Sequence, residues 1–247
     1  MKVNREKWPK IFPELTAEQE WINNDFMEYW HKVLPKKYKM IERFNNMYAV
    51  KNAPANFIKT IEIGAGLGEH VTYEVLTKEQ RSNYVAFELR ENMANEIRRK
   101  DLGIKVWNGD CQVNIPDNDN EFDRVIAIHV LEHLKNLPEA IKEIYRVTNK
   151  QQGIFSIVIP CEGGFFYNLA RKFSAQRIFE KRYKKPYQWF IEREHVNTPT
   201  EILEEVLFYF SLESRQFFPF KFLPYIGCNL CIGLTCKPKK EVELIVN

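Results

Sequence analysis

Three glycines stand within five positions in "IEIGAGLGEH", residues 61–70, directly behind the alternating apolar run "FIKTIEI". Glycine at the mouth of a strand permits a tight turn and lets a ligand reach the main chain, since no side chain stands in the way. Taken alone the pattern is weak, because dinucleotide-binding loops share it. Its meaning depends on its surroundings.

Those surroundings are a regular alternation. "FIKTIEI", "NYVAFE", "IKVWN", "FDRVIAI" and "GIFSIVIP" read as strands, the last apolar enough to be buried on both faces. "GEHVTYEVL", "ENMANEIRRK" and "LPEAIKEIYRV" read as the helices between them. Connections this short imply a parallel sheet with helices on both sides. In such a sheet ligands sit beyond the carboxyl ends of the strands, where the strand order reverses. The glycine loop follows the first strand.

Outside the alternation the chain reads differently. Residues 1–50 are expected to form a helical cap. Thr16 with Gln19 makes a capping box, Ile22, Phe26, Tyr29 and Val33 share one helical face, and Pro35 breaks that helix. Tyr38, Ile41, Phe44 and Tyr48 line a second amphipathic helix. Residues 161–197 interrupt the rhythm with eight Lys or Arg against four Glu, and nine aromatics. "TPTEILEEVLFYF" is a helix with Thr198 as its N-cap, and "SLESRQFFPF" and "NLCIGLTC" are closing strands. The expected organisation is a cap at 1–50 and one α/β domain at 51–247 that carries the insertion 161–197.

Acidic residues mark the strand ends. Glu88, twenty residues after Gly68, can accept both hydroxyls of a ribose. Asp110, in "VWNGDC", can accept a hydrogen bond from an adenine amino group, and Asp123 opens the fourth strand. With Glu62, Gly64, Gly66 and Gly68 they describe a nucleoside-binding edge. This order resembles the class I S-adenosylmethionine-dependent methyltransferases. "EIGAGLG" matches their first motif, Glu88 their second, and "GD" at 109–110 their third. "FDRVIAIHVLEHLKNLPEAIKEIYRV" followed by "GIFSIVIP" is similar to the quinone-biosynthesis-like, type 11 subgroup.

The resemblance covers residues 57–160 well and 195–236 loosely. It implies a Rossmann-like, doubly wound, seven-stranded sheet whose last strand is antiparallel. It also implies S-adenosyl-L-methionine as cofactor and S-adenosyl-L-homocysteine as product. Gly64, Ala65 and Gly66 would lie under the methionine moiety, in the loop that Gly68 completes and Glu62 supports. Glu88 would hold the ribose, and Asp110 with the main chain of Cys111 the adenine.

A sulfonium methyl is already activated, so the protein must align the acceptor and remove its proton. His129, at the carboxyl end of the fourth strand, suits a base, because histidine titrates near pH 6.5 when unperturbed. The alternative is a histidine that packs, or lends its carbonyl to the cofactor. Glu132 and His133, in "VLEHL", either fix the loop or join the chemistry. His195, in "EREHVNTPTE", is a substrate-side or acid–base candidate, against a helix-entry hydrogen bond. His129, Glu132, His133 and His195 together could hold a divalent cation. Some metal-dependent methyltransferases use a Glu-x-x-Glu-His run for this, but His129 stands at the first Glu, and magnesium prefers oxygen. A metal is therefore not the favoured reading.

Tyr167, Arg171 and Arg182 in the insertion are candidates for binding an anionic acceptor, one bearing phosphate or carboxylate. The alternative is a solvated helix face over a hydrophobic underside. His31 and His70 read as ordinary surface or helix-start residues.

Composition narrows the partners. Lys and Arg total 36 against 33 Asp and Glu, and a net +3 is too small for general nucleic-acid binding. No segment approaches the roughly 18 apolar residues of a membrane helix, and the N-terminus lacks a signal-like stretch. The cytoplasm is the expected location, with no stable membrane insertion. Cys228, Cys231 and Cys236 lie in "GCNLCIGLTC", but zinc normally takes four ligands, and the alternation there marks a strand. The expected function is methyl transfer to an oxygen or nitrogen of a small polar or anionic acceptor, such as a bacterial metabolite or surface-glycan building block. The alternatives are a metal-dependent RNA-end methyltransferase, an NAD-dependent oxidoreductase and a non-catalytic partner protein of the same fold. Acceptor identity and oligomeric state stay open.

Overall fold

The structure, a computed structural model, describes residues 6–240, and of 31–37 the backbone alone. The side chains of His31 and Val33 therefore lie outside the described residues. The seven strands are β1 (Thr60–Ile63), β2 (Tyr84–Glu88), β3 (Lys105–Asn108), β4 (Arg124–Ile128), β5 (Ile154–Pro160), β6 (Phe210–Phe218) and β7 (Cys231–Pro238). They form one sheet in the order β3-β2-β1-β4-β5-β7-β6. The first five are parallel, and β7 runs antiparallel to both β5 and β6. The sheet is the expected doubly wound one, and its order reverses between β1 and β4.

Register sets the working edge. Ile63 is level with Phe87 on β2 and with Ala127 on β4. The next residues stand together at the carboxyl edge: Gly64 just outside β1, and Glu88 and Ile128 as the last residues of β2 and β4.

The helices are α1 (Ala17–Lys37), α2 (Lys39–Lys51), α3 (Lys78–Ser82), α4 (Glu91–Arg99), α5 (Leu137–Val147), α6 (Phe165–Arg171), α7 (Arg177–Tyr183), α8 (Gln188–Glu194) and α9 (Pro199–Tyr209). On β5, Ile157 and Ile159 join the core with Ile141, Ile144, Ile202 and Val206 of α5 and α9. Val158, pointing the other way, packs against Tyr48 of α2. Period-2 alternation thus assigns the two faces, as it must in a strand covered on both sides. Tyr48 lies so close to β7 that a Cβ on Gly233 would stand 2.5 Å from its ring. Glycine there is a packing requirement.

Three expectations need correction. Residues 6–16 are not helical, although the Thr16–Gln19 capping box does form, with Gln19 N donating to Thr16 Oγ1 at 3.3 Å and Thr16 N to Gln19 Oε1 at 3.0 Å. Helix α1 runs past Pro35 to Lys37, because a proline so close to the end disturbs only the last turn. "GEHVTYEVL" gives a single 3₁₀ turn, His70–Tyr73, in place of a crossover helix. Val71 and Thr72 are β-branched and weak in helices, and Glu74 turns inward to meet buried Arg124 at 2.6 Å. A fully buried guanidinium needs that carboxylate more than the chain needs another helical turn.

The insertion and the cap form one unit. Phe26 of α1 lies 5.1 Å, centre to centre, from both Phe179 and Phe190. Ile22, Ala175, Tyr187 and Ile191 complete this second apolar cluster. Helices α6 and α7 are joined by a π turn, Lys172–Gln176, into one bent rod that ends at Lys184 in the left-handed conformation.

Candidate active site

The glycine loop is shaped by what touches it. Gly64, Gly66 and Gly68 have φ of +67°, +57° and +75°. Gly64 N and Ala65 N both donate to Phe87 O, at 2.8 and 3.2 Å, which anchors the loop to β2. A Cβ on Gly64 would stand 2.4 Å from Val130 Cγ2. The loop therefore rests directly on the segment after β4, where His129 sits. Around Gly66 there is room, the nearest atom being Glu69 Oε2 at 3.6 Å.

Glu88 is buried, and its carboxylate accepts from Gly66 N at 2.8 Å and from Arg90 N at 2.9 Å. It shapes the loop, a role its position in the sequence does not announce. Asp110 Oδ1 accepts from Gln112 N at 2.8 Å, and Gln112 Oε1 accepts from Asn136 N at the start of α5. Cys111 is buried, which pushes its thiol up to about 12. An open main-chain loop and two carboxylates beyond adjacent strands form a donor and acceptor set that fits a nucleoside.

Glu62 sits elsewhere than expected. It is buried and accepts from Tyr84 Oη at 2.7 Å, bracing β1 against β2 without touching the loop. Burial raises its pKa against the opposing pull of His70 and Tyr84. His70 opens the 3₁₀ turn, as the helix-start reading has it, but it is no surface residue: it is 2% exposed, with Nε2 2.8 Å from Glu74 Oε1. Asp123 leaves the nucleoside edge altogether. It precedes Arg124, which is level with Thr60 at the amino end of β1, and its carboxylate accepts from Ile58 N, Lys59 N and Gln152 Nε2.

On the other side of the loop stands a chain of imidazoles and carboxylates. His129 has φ +52°, a conformation rare outside glycine that concentrates at functional sites. Its Nδ1 lies 3.0 Å from Glu132 Oε1. Burial would push the Glu132 carboxyl up, but the His129 hydrogen bond and the nearby His133 and His195 win and hold it at about 2. An ionised carboxylate only accepts, so Nδ1 is the donor, and in the neutral ring Nε2 is the nitrogen with the lone pair. That Nε2 faces Cys231 Sγ at 3.9 Å.

His195 meets this group from the far end of the insertion. Its Nδ1 is 2.7 Å from Glu162 Oε2, and Glu162 Oε1 is 2.6 Å from Arg171 Nη1. Arg171 in turn lies over the Tyr167 ring, 5.9 Å from its centre. His133 and His195 meet edge to face at 5.0 Å. Their approach is fixed by the main chain, since Val196 N and Asn197 N donate to Glu132 O at 2.8 and 3.0 Å. Behind them, Asn197 Nδ2 donates to Leu131 O and Leu134 O, and Trp8 Nε1 donates to Asn197 Oδ1.

The structure thus gathers His129, Glu132, His133, His195, Tyr167 and Arg171. It leaves Arg182 apart, exposed and bonded to Asp25 of α1 through Nε at 2.9 Å. Sequence reading missed Glu162 and Asn197. Glu162 had a usable signal, a carboxylate just beyond a strand end, as Glu88 is. Among the described residues the cysteines are unpaired, and Cys231 and Cys236 are buried on β7 as a strand reading expects.

A seven-stranded sheet of this order, with one antiparallel strand and a glycine loop at its switch point, defines the class I S-adenosylmethionine-dependent methyltransferase fold. Residues 61–157 match the family model described as "Methyltransferase domain". Solved structures agree in fold. A possible histamine N-methyltransferase from Thermotoga maritima aligns with TM-score 0.55 and 20% identity, over 85% of this chain and 99% of that one. A putative methyltransferase of Haloferax volcanii, solved with the Trm112 methyltransferase activator, aligns with TM-score 0.60 and 11% identity, over 92% and 100%. The cyclase SpnF shares the fold at TM-score 0.55 and 14% identity, over 80% and 81%. No curated protein matches the sequence.

Proposed function

We propose that this protein transfers a methyl group from S-adenosyl-L-methionine to an oxygen or nitrogen of a small-molecule acceptor, with His129 taking the acceptor's proton. One observation carries the reading: the His129–Glu132 pair flanks Val130, the residue against which Gly64 of the glycine loop rests. The cofactor, when bound, supplies a methyl carbon already activated by the sulfonium charge. The chain's own task is then alignment and deprotonation. Glu132 orients His129 and stabilises its imidazolium, leaving Nε2 as the proton acceptor, and general-base help of this kind contributes roughly 10²- to 10⁴-fold. Glu88 and Asp110 would grip ribose and adenine, with the Cys111 main chain alongside.

The insertion argues less for an anionic acceptor than its composition does. Arg171 is paired with Glu162, Arg182 with Asp25 and Lys185 with Glu18. An open apolar groove of about 310 Å³ lies between α6 and the β6–β7 link, lined by Phe166, Leu169, Phe173, Pro219, Phe220 and Leu230. Its lining suits an apolar portion of the acceptor. We place the protein in the cytoplasm; no helix among the described residues is long and apolar enough to cross a membrane.

The test is calorimetry with S-adenosylhomocysteine and with NAD, followed by transfer of labelled methyl to acceptors with and without anionic and apolar groups. Tight NAD binding without response to S-adenosylhomocysteine would overturn the reading. Glu88→Ala should weaken the S-adenosylhomocysteine complex by about 1–3 kcal/mol, and an unchanged affinity would remove Glu88 from the ribose.

A further inference from the structure

The carboxylate and two imidazoles at the start of the acceptor side have a second meaning. One ligand-capable atom each from Glu132, His133 and His195 lies within 4.8 Å of the other two. Ligands around a tetrahedral ion with bonds of about 2.1 Å stand about 3.4 Å apart. Movements of about an ångström would therefore close the group around an ion.

The protonation pattern fits this use. His133 Nδ1 lies 2.5 Å from Glu194 O, and His195 Nδ1 lies 2.7 Å from Glu162 Oε2. A carbonyl or carboxylate oxygen takes a hydrogen bond from Nδ1, and in the neutral tautomer that makes it, Nε2 of each ring keeps a lone pair. Metal-ligating histidines are oriented in this way, with the second ring nitrogen tied to a carbonyl or carboxylate. Glu132 adds an independent sign. Its side chain is 1% exposed, and while Oε1 holds His129, Oε2 has no hydrogen-bond partner among the described residues. A buried, unpaired carboxylate oxygen is costly unless something positive meets it.

We propose that Glu132, His133 and His195 bind one divalent transition-metal ion, with Glu162 and the Glu194 carbonyl orienting the two imidazoles. Two nitrogens and one carboxylate suit Zn²⁺, Mn²⁺, Fe²⁺ or Co²⁺ and are poor ligands for Mg²⁺. The side chains of His133 and His195 are 35% and 17% exposed, which gives an ion a way in. A three-ligand site keeps open positions, and an acceptor hydroxyl or carboxylate is the chemistry that would fill one. The proposal does not depend on methyl transfer.

The experiment uses the full chain, stripped with a chelator that is then removed. Calorimetric titrations with Zn²⁺, Mn²⁺ and Mg²⁺, each alone, are joined by the visible absorption of the Co²⁺ form. The expected result is one Zn²⁺ per chain, micromolar or tighter, no comparable Mg²⁺ binding, and a Co²⁺ spectrum of low coordination number. Glu162→Ala should weaken Zn²⁺ about 10- to 100-fold, as loss of an orienting group does. His195→Ala and Glu132→Gln should weaken it further, and Cys231→Ser should change nothing. Circular dichroism and S-adenosylhomocysteine binding report separately on the fold of each variant. No stoichiometric uptake by the parent, uptake unchanged in His195→Ala, or uptake lost in Cys231→Ser would each overturn the site. Should Glu132→Gln fail to fold, His195→Ala, on a partly exposed side chain, decides the matter.

Discussion

The two sides of the sheet's carboxyl edge are built from chain segments of very different reach. On the nucleoside side, Gly64, Gly66, Glu88 and Asp110 lie at the carboxyl ends of the first three strands. The contacts that shape them are largely main chain: Gly64 and Ala65 on Phe87 O, Gly66 N on Glu88, Gln112 N on Asp110. On the acceptor side, His133 meets Glu194 and His195, and His195 meets Glu162, which holds Arg171. The group is held from behind by Trp8 and Lys10, and the Lys10–Glu201 contact spans 191 residues. One half is a local backbone device. The other exists only once distant segments have assembled. Substitutions should therefore separate: on the acceptor side they should change turnover with little effect on cofactor affinity, and on the nucleoside side the reverse.

The largest separation is expected at His129. His129→Ala should lower turnover roughly 10²- to 10⁴-fold while S-adenosylhomocysteine affinity, read by calorimetry, stays within a few-fold. Equal turnover in variant and parent would take His129 out of the chemistry. A collapse of cofactor affinity would instead show that the two sides are not independent.

On the nucleoside side the sharper comparison is between two glycines. Gly64→Ala combines a left-handed backbone, costing about 1–2 kcal/mol, with a Cβ only 2.4 Å from Val130 Cγ2, adding about 1–3 kcal/mol of overpacking. Gly66→Ala meets the backbone cost alone, with no atom nearer than 3.6 Å. Thermal unfolding should place Gly64→Ala well below Gly66→Ala, at about 2–4 °C per kcal/mol for a chain of this size. Equal melting temperatures would mean that the loop does not rest on Val130.

Within the insertion, the pairings rank two arginines that composition treats alike. Arg171→Ala removes the partner of Glu162, which itself holds His195, and should raise the acceptor KM about tenfold, the worth of one charged hydrogen bond. Arg182→Ala breaks an exposed pair with Asp25 and should leave the KM unchanged. A KM that rises equally in both would return the insertion to the role of a general positive surface.

The same contrast explains what could be read from the chain. Strand alternation fixes the sheet, and the spacing from Gly68 to Glu88 places loop and acid at one edge, because both are local in sequence. Asp123 misled because type and strand membership do not reveal the strand end: a residue opening a parallel strand lies opposite the ligand edge. The start of a helical turn at His70 was legible, but its burial was not, because the buried Arg124 that draws Glu74 inward lies 50 residues beyond Glu74. Glu162, Asn197 and the fusion of α1 with the insertion rest on contacts between distant segments, for which one sequence carries no periodic signal. The two caps at Thr16 and Thr198 were legible, since a capping box is complete within four residues.

The smallest effect concerns what holds the acceptor side from behind. Glu201, in the capping box of α9, receives Lys7 Nζ and Lys10 Nζ at 3.0 Å, tying the extended N-terminal segment to the helix after His195. Burial raises its carboxyl, but the Thr198 amide and the two lysines outweigh that and hold it at about 2. A folded-state pKa below the unfolded value stabilises fully above about pH 4.5 and loses that contribution as pH falls toward 2. Glu201→Gln should therefore cost about 1–2 kcal/mol at pH 7, discounted for partial solvent access, and the gap to the parent should close between about pH 5 and pH 2. Denaturant unfolding across that range measures it. S-adenosylhomocysteine affinity at pH 7 should not follow, because no contact of Glu201 reaches the glycine loop. If the variant lost cofactor binding along with stability, the clamp would span both sides of the edge, and the division between a local half and an assembled half would fail at its most remote point.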